Sequence, residues 1–169
     1  MKKLALISTV LIALLAVAGT ASAHWDNAFD LILEDYEPIR QALADGRLGG
    51  VADHAEAIEV ELLHLKKNIS ARHAGADVGK AKDVFDRIPG LLEATAALRS
   101  ARTVGEARAA FLDLSEGLAR WQGSLEFRSR AVVVRCEPEN RVWLQPRKTV
   151  KRLLNPYGTA DTERCERVG

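Results

Sequence analysis

Cys136 and Cys165 are the only two cysteines in this 169-residue chain, and they are the first residues to consider for chemistry. Thiolates hold soft metal ions or act as nucleophiles, but in an oxidising compartment two such residues close a disulfide instead. A disulfide closing the loop from 136 to 165 is worth roughly 3.5 kcal/mol in chain-entropy terms. A staple is therefore expected ahead of a metal or redox role. Histidines come next. His54 and His64 fall on one predicted helix, roughly 80° apart around its axis, so they do not form a ready-made pair. Glu61 precedes His64 by three positions and could share a surface ion with it, although such a pair is ordinarily a solvated helix face. His73 lies beyond a predicted helix end. No H-x-x-x-H, H-E-x-x-H or C-x-x-C-H string occurs. His24 would become the N-terminal residue on removal of a leader, and its amine and imidazole nitrogens suit copper. The metal candidates are thus His24, His54 and His64, with copper as the ion. Haem ligation has no support, since the single methionine is Met1.

Catalytic signals are weaker. Ser115 and Ser124 sit in no nucleophile elbow, and a cysteine nucleophile would have to escape its partner. Glu59 with Glu61, and Glu34 with Asp35, are spaced so that they do not face each other on a helix, and they read as solvated surface. Arg147-Lys148 and Lys151-Arg152 read as a solvated loop that could also meet an acidic partner. No catalytic set can be named, so the expectation is a protein that is not an enzyme. An enzyme with a cleft between helices and cap is a second alternative.

The elements that must position these residues begin with a leader. Met1-Lys2-Lys3, the apolar run from Leu4 to Gly19 and the small residues Ala21-Ser22-Ala23 have the order of a secretory signal peptide. The run is shorter than the roughly 18 to 20 apolar residues of a membrane span, so export with cleavage after Ala23 is expected, with no membrane span afterwards. The expected domains are a signal peptide over 1–23 and one helical domain over 24–169. Losing Lys2 and Lys3 turns the formal net charge from +1 to −1, which gives no bulk attraction to nucleic acid or an anionic membrane.

Helical periodicity then predicts four helices. The first covers 26–44, kinked or restarted at Pro38, with a left-handed cap at Gly46. The second covers 51–70, with Ile69 on its buried face, and a connection over 71–79 follows. The third covers 80–100 with a break near Ile88, where Pro89-Gly90 interrupts the pattern. The fourth starts at a capping box, Thr103-Val104-Gly105-Glu106, and carries the stripe Ala107, Phe111, Leu114, Leu118 and Trp121. The pattern predicts a mainly α protein, an up-and-down four-helix bundle. After Gly123 the period changes. Val132 to Arg135 and Arg141 to Leu144 flank a turn, giving a small hairpin-like cap over 131–169 that the disulfide pins to the bundle.

These motifs together resemble a family of exported bacterial domains of unknown function. Its members occur alone or fused to the periplasmic adaptor (membrane-fusion) subunits of copper and silver efflux systems. The residues that carry the resemblance are Tyr36, Ile39, Leu43 and Asp45, then Arg108, Phe111, Leu114 and Ser115. The specific part is C-terminal: Cys136 with Pro138, Trp143-Leu144, Asn155-Pro156-Tyr157-Gly158, and Cys165. The chain departs from that pattern where methionines are expected, reading Cys136-Glu137-Pro138-Glu139 and Thr162-Glu163-Arg164. Copper(I) favours thiolate and thioether donors, so the resemblance implies fold and compartment more than soft-metal handling. The expected function is a non-enzymatic periplasmic binding or interaction module linked to envelope metal homeostasis, with an envelope protein or efflux component as partner. The first alternative is a periplasmic protein that binds copper or another metal.

Overall fold

The computed structural model describes residues 27–137, 139–158 and 162–168. The predicted leader 1–23, His24 and Pro138 lie outside these residues. The described chain is mainly helical, with a small antiparallel sheet near its C-terminal end.

Helix α1 spans Ala28–Ala44, capped by Asn27, whose Oδ1 accepts from the Asp30 N–H at 3.0 Å. It continues through Pro38 as one helix, against the expected restart in two pieces. The carbonyl that Pro38 deprives of a partner belongs to Glu34, an exposed residue where water can take its place. Buried Phe29, Ile32, Tyr36, Ile39 and Leu43 hold the helix on the core. Gly46 ends the turn after α1 at φ +69, in the left-handed conformation expected of it. Helix α2 spans Val51–Lys67 and stops short of the predicted end. Asn68 closes it with its backbone N–H on the His64 carbonyl, and Ile69 is left 71% exposed.

The predicted connection over 71–79 contains a four-residue helix, α3 (Ala71–Ala74), and a 3-10 turn. The third predicted helix is two, α4 (Ala81–Phe85) and α5 (Ile88–Ser100), divided where Pro89 enters the first turn of α5. Helix α6 spans Val104–Gln122. The Thr103 hydroxyl accepts from the Glu106 N–H at 3.2 Å, and the Glu106 carboxylate reaches back to the Arg102 N–H at 2.8 Å, one residue before the usual capping-box target. Helix α2 packs against both α1 and α5, α5 packs against α6, and α1 touches α6.

Strands β1 (Ala131–Cys136) and β2 (Arg141–Pro146) form the expected hairpin. A third strand, β3 (Cys165–Val168), pairs with the other side of β1, so the sheet order is β2-β1-β3. Periodicity over so short and exposed a strand carries little signal. Cys136 and Cys165 are register partners, and their disulfide joins β1 to β3. Strand β2 packs on α6, and Val132, Val134, Trp143 and Leu144 share one core with the helices.

Two tyrosine hydroxyls cover the outer edge of β2. The Leu144 N–H donates to Tyr36 Oη at 3.0 Å, and Tyr157 Oη donates to the Val142 carbonyl at 2.5 Å. An amide N–H can only donate and a carbonyl can only accept, which fixes the direction of the chain that follows. The Tyr36 hydroxyl donates to Ser115 Oγ at 2.7 Å, and Ser115 donates to the Phe111 carbonyl at 2.6 Å. Burial pushes both tyrosines well above their usual pKa, with the hydrogen bond to Ser115 opposing it.

Candidate metal centre

The sequence motifs that carry the family resemblance form the seam between helices and sheet. Arg108 donates from Nε to the Pro156 carbonyl at 2.9 Å and from Nη2 to the Leu43 carbonyl at 2.8 Å, tying α6 to the end of α1 and to the loop after β2. Gly158 lies at φ +83, and a β-carbon there would stand 2.3 Å from the Arg108 guanidinium, so a side chain would be strained and would displace Arg108 from its carbonyl partners. Asn155 Oδ1 accepts from the Tyr157 N–H at 2.9 Å. Trp143 and Leu144 are fully buried. Gln145, which the sequence reading passed over, is also buried; its amide donates to the Thr149 and Arg152 carbonyls and accepts from the Leu154 N–H, holding that loop in place. These residues build the fold, and Asn155 and Gly158 also line the cleft beside the loop after β2.

Of the three proposed metal histidines, His54 and His64 do not come together. His24 lies outside the described residues. His54 turns to α1, with Nδ1 2.8 Å from Asp35 Oδ1. His64 instead joins Glu61 and His73. Among the described residues these form one group whose ligand atoms all lie within 4.8 Å of one another. Glu61 and His64 are one turn apart near the end of α2, as their spacing requires. His73 arrives from α3. Ser70 caps that helix, its hydroxyl accepting from the His73 N–H at 3.3 Å, and Gly75 ends it at φ +64. Trp121 Nε1 donates to the Ala74 carbonyl at 3.1 Å, and the Ala76–Leu125 bridge fixes the exit. The His64 and His73 rings meet edge to face with centroids 5.0 Å apart.

One contact in this group is left open. Glu61 Oε1 and His73 Nε2 are 3.0 Å apart, both atoms buried, and neither makes a hydrogen bond. The separation is that of an ion pair. Glu59 Oε2 beside Arg99 is in the same condition, so what distinguishes this contact is the third ligand type, His64, that stands next to it. Two donors each about 2.1 Å from one divalent ion stand about 3.0 Å apart at a right angle and about 3.4 Å apart at the tetrahedral angle. The observed separation fits the right-angle case, and the His64 ring, in a set spanning up to 4.8 Å, would turn inward to reach the same ion. The exposed His64 ring completes a set of two imidazoles and one carboxylate, which suits divalent zinc, nickel, copper or iron. It does not suit copper(I), because both cysteines are in the disulfide.

The acidic residues read as solvated surface are engaged. Glu59 faces Arg99 on α5 at 3.2 Å, Asp35 faces His54, and Glu34 lies 3.8 Å from Arg130. Clefts of about 450, 670 and 820 Å³ lie between α5 and α6, between α1 and β2, and beside the loop after β2. The three metal-site residues line none of them. His73 is the residue missed by sequence reasoning, and the signal was present: Ser70 and Gly75 bracket a single helical turn. No family pattern, curated protein or solved structure matches the chain.

Proposed function

We propose that this chain is a non-enzymatic metal-binding module of the bacterial cell envelope, which holds one divalent transition-metal ion between Glu61, His64 and His73. The observation that carries the proposal is the convergence of Glu61, His64 and His73, whose ligand atoms all lie within 4.8 Å of one another, with Glu61 Oε1 and His73 Nε2 3.0 Å apart. The ion would sit at the surface, where exposed His64 leaves a coordination position open for exchange. Three protein ligands with an open position also occur in hydrolytic zinc sites, but Glu61, His64 and His73 line none of the three clefts, which favours carriage or sensing of an ion over turnover of a substrate. Export by the N-terminal leader and a partner among envelope or efflux proteins belong to the same proposal. In this proposal α1, α2, α5 and α6 form the up-and-down bundle that carries the site, and the sheet closes its α1–α6 flank.

The test is native mass spectrometry of the protein purified from periplasm without chelator, repeated after zinc addition. One ion per chain is expected, lost in His73→Ala and kept in His54→Ala. An apo protein that takes up no zinc, or an ion that survives His73→Ala together with Glu61→Gln, would overturn the assignment.

A further inference from the structure

The loop after β2 is pinned along its backbone. Gln145 holds the Arg152 carbonyl and the Leu154 N–H, buried Arg40 donates from Nη1 to the Leu154 carbonyl at 2.7 Å, and Arg108 holds the Pro156 carbonyl. So fixed, the loop presents exposed Lys151 and Arg152 to the largest of the three clefts, about 820 Å³. Arg167 enters the same cleft from β3. Its register partner is Val134, which is in turn the partner of Trp143, so the three stand on one face of the sheet. Val134 and Trp143 belong to the core, and position 167 continues their row with a cation. There the face reaches the end of α1, where Ala44 and Asp45 also line the cleft.

The charge in this cleft is one-sided. Lys151, Arg152 and Arg167 make no ion pair with a carboxylate among the described residues, and the one acid on the walls, Asp45, accepts from Arg47 at 2.7 Å. Solvated surface elsewhere on the molecule pairs its signs, as Lys82 with Asp86 and Arg120 with Glu116. Three like charges on one concave surface repel one another, and an anion among them relieves the repulsion. Most of the large side chains on the walls are charged or polar, which suits a compact hydrophilic group. Two guanidinium groups can each offer paired N–H donors to the oxygens of a phosphate, and the ammonium adds a point charge.

We propose that this cleft binds a phosphate-bearing anion through Lys151, Arg152 and Arg167. The site is separate from the metal group and does not depend on it. Its test is calorimetric titration with pyrophosphate of the oxidised chain, freed of metal with EDTA and dialysed into low salt. One site per chain is expected, weakening as salt is raised. Arg167→Gln and Lys151→Gln should each lower the affinity about tenfold. Lys66→Gln, which removes the same charge from the exposed side of α2, should leave it within about twofold of the parent. Circular dichroism confirms that the variants fold. Flotation with phosphatidylglycerol vesicles, beside phosphatidylcholine controls, separates the sources of phosphate. Capture that depends on Arg167 assigns the site to a lipid headgroup, and pyrophosphate binding without capture assigns it to a soluble ligand. Binding of neither probe, or affinities unchanged in both cleft variants, would overturn the site. An equal loss in Lys66→Gln would reduce it to bulk charge and refute it as well.

Discussion

Glu61→Gln separates a metal site from an ordinary ion pair. Without metal, Glu61 Oε1 accepts no hydrogen bond, so the isosteric amide removes a charge and no bond. The EDTA-treated variant should match the parent in stability to within about 0.5 kcal/mol. With zinc at 100 times its Kd, the parent gains about 2.7 kcal/mol by mass action. Loss of supporting contacts around a metal costs 10- to 100-fold in affinity, and loss of a ligand itself reaches at least the upper figure. At the same zinc concentration the variant then gains only about 0.4 kcal/mol. The difference, about 2.3 kcal/mol, corresponds to about 5–9 °C in Tm for a domain of this size. Thermal unfolding followed by circular dichroism, with and without zinc, reads it directly. A variant that keeps the whole zinc shift refutes the ligand assignment. A variant that loses several degrees in EDTA makes Glu61 and His73 a folding ion pair instead.

Two further predictions concern the seam. Tyr36→Phe strands the buried Leu144 N–H and should cost about 2–4 kcal/mol in urea unfolding, while Ser115→Ala should cost about 1–2 kcal/mol. The double variant should cost less than the sum; strict additivity would show that the hydroxyl chain is not continuous. Alkaline pH should also unfold the protein. Tyr36 and Tyr157 have pKa values raised by burial, so their contribution is complete below the unfolded tyrosine pKa of about 10 and is lost as pH climbs above it. The slope is up to about 1.4 kcal/mol per pH unit for each tyrosine. Urea midpoints measured from pH 8 to 11.5 check this, and a flat profile above pH 10 contradicts it.

Long helices were legible because their faces repeat. Phe29 through Leu43 and Ala107 through Trp121 each place large apolar residues every three or four positions, and the core takes them as read. Pro38 misled because its cost depends on whether the orphaned carbonyl reaches water, which spacing does not reveal. Strand β3 was hidden for a related reason. Its residues are mostly exposed, and it owes its place to pairing with β1 and to Cys136–Cys165 rather than to its own pattern. At the site, Glu61 and His64 could be paired by helical arithmetic, but His73 could not. Its position depends on Trp121 holding α3 by the Ala74 carbonyl, a contact between residues far apart in sequence.

The two edges of the sheet are protected by different means, and the difference bears on how the protein fails. On the β2 side the blocking groups are phenolic hydroxyls packed in the core, so that edge opens only when the whole domain unfolds. On the other side β1 is covered by a four-residue strand held by one covalent bond. Reduction frees β3 to leave and uncovers the backbone of Val133-Val134-Arg135-Cys136, so that β1, with its uncharged run Ala131-Val132-Val133-Val134, loses its neighbour on that side. Such a run templates strand addition between chains, the first step of fibril growth. The Cys136–Cys165 bond is thus expected to guard against self-templated aggregation, so that the reduced chain should form aggregates in reductant at temperatures where the oxidised chain stays in solution.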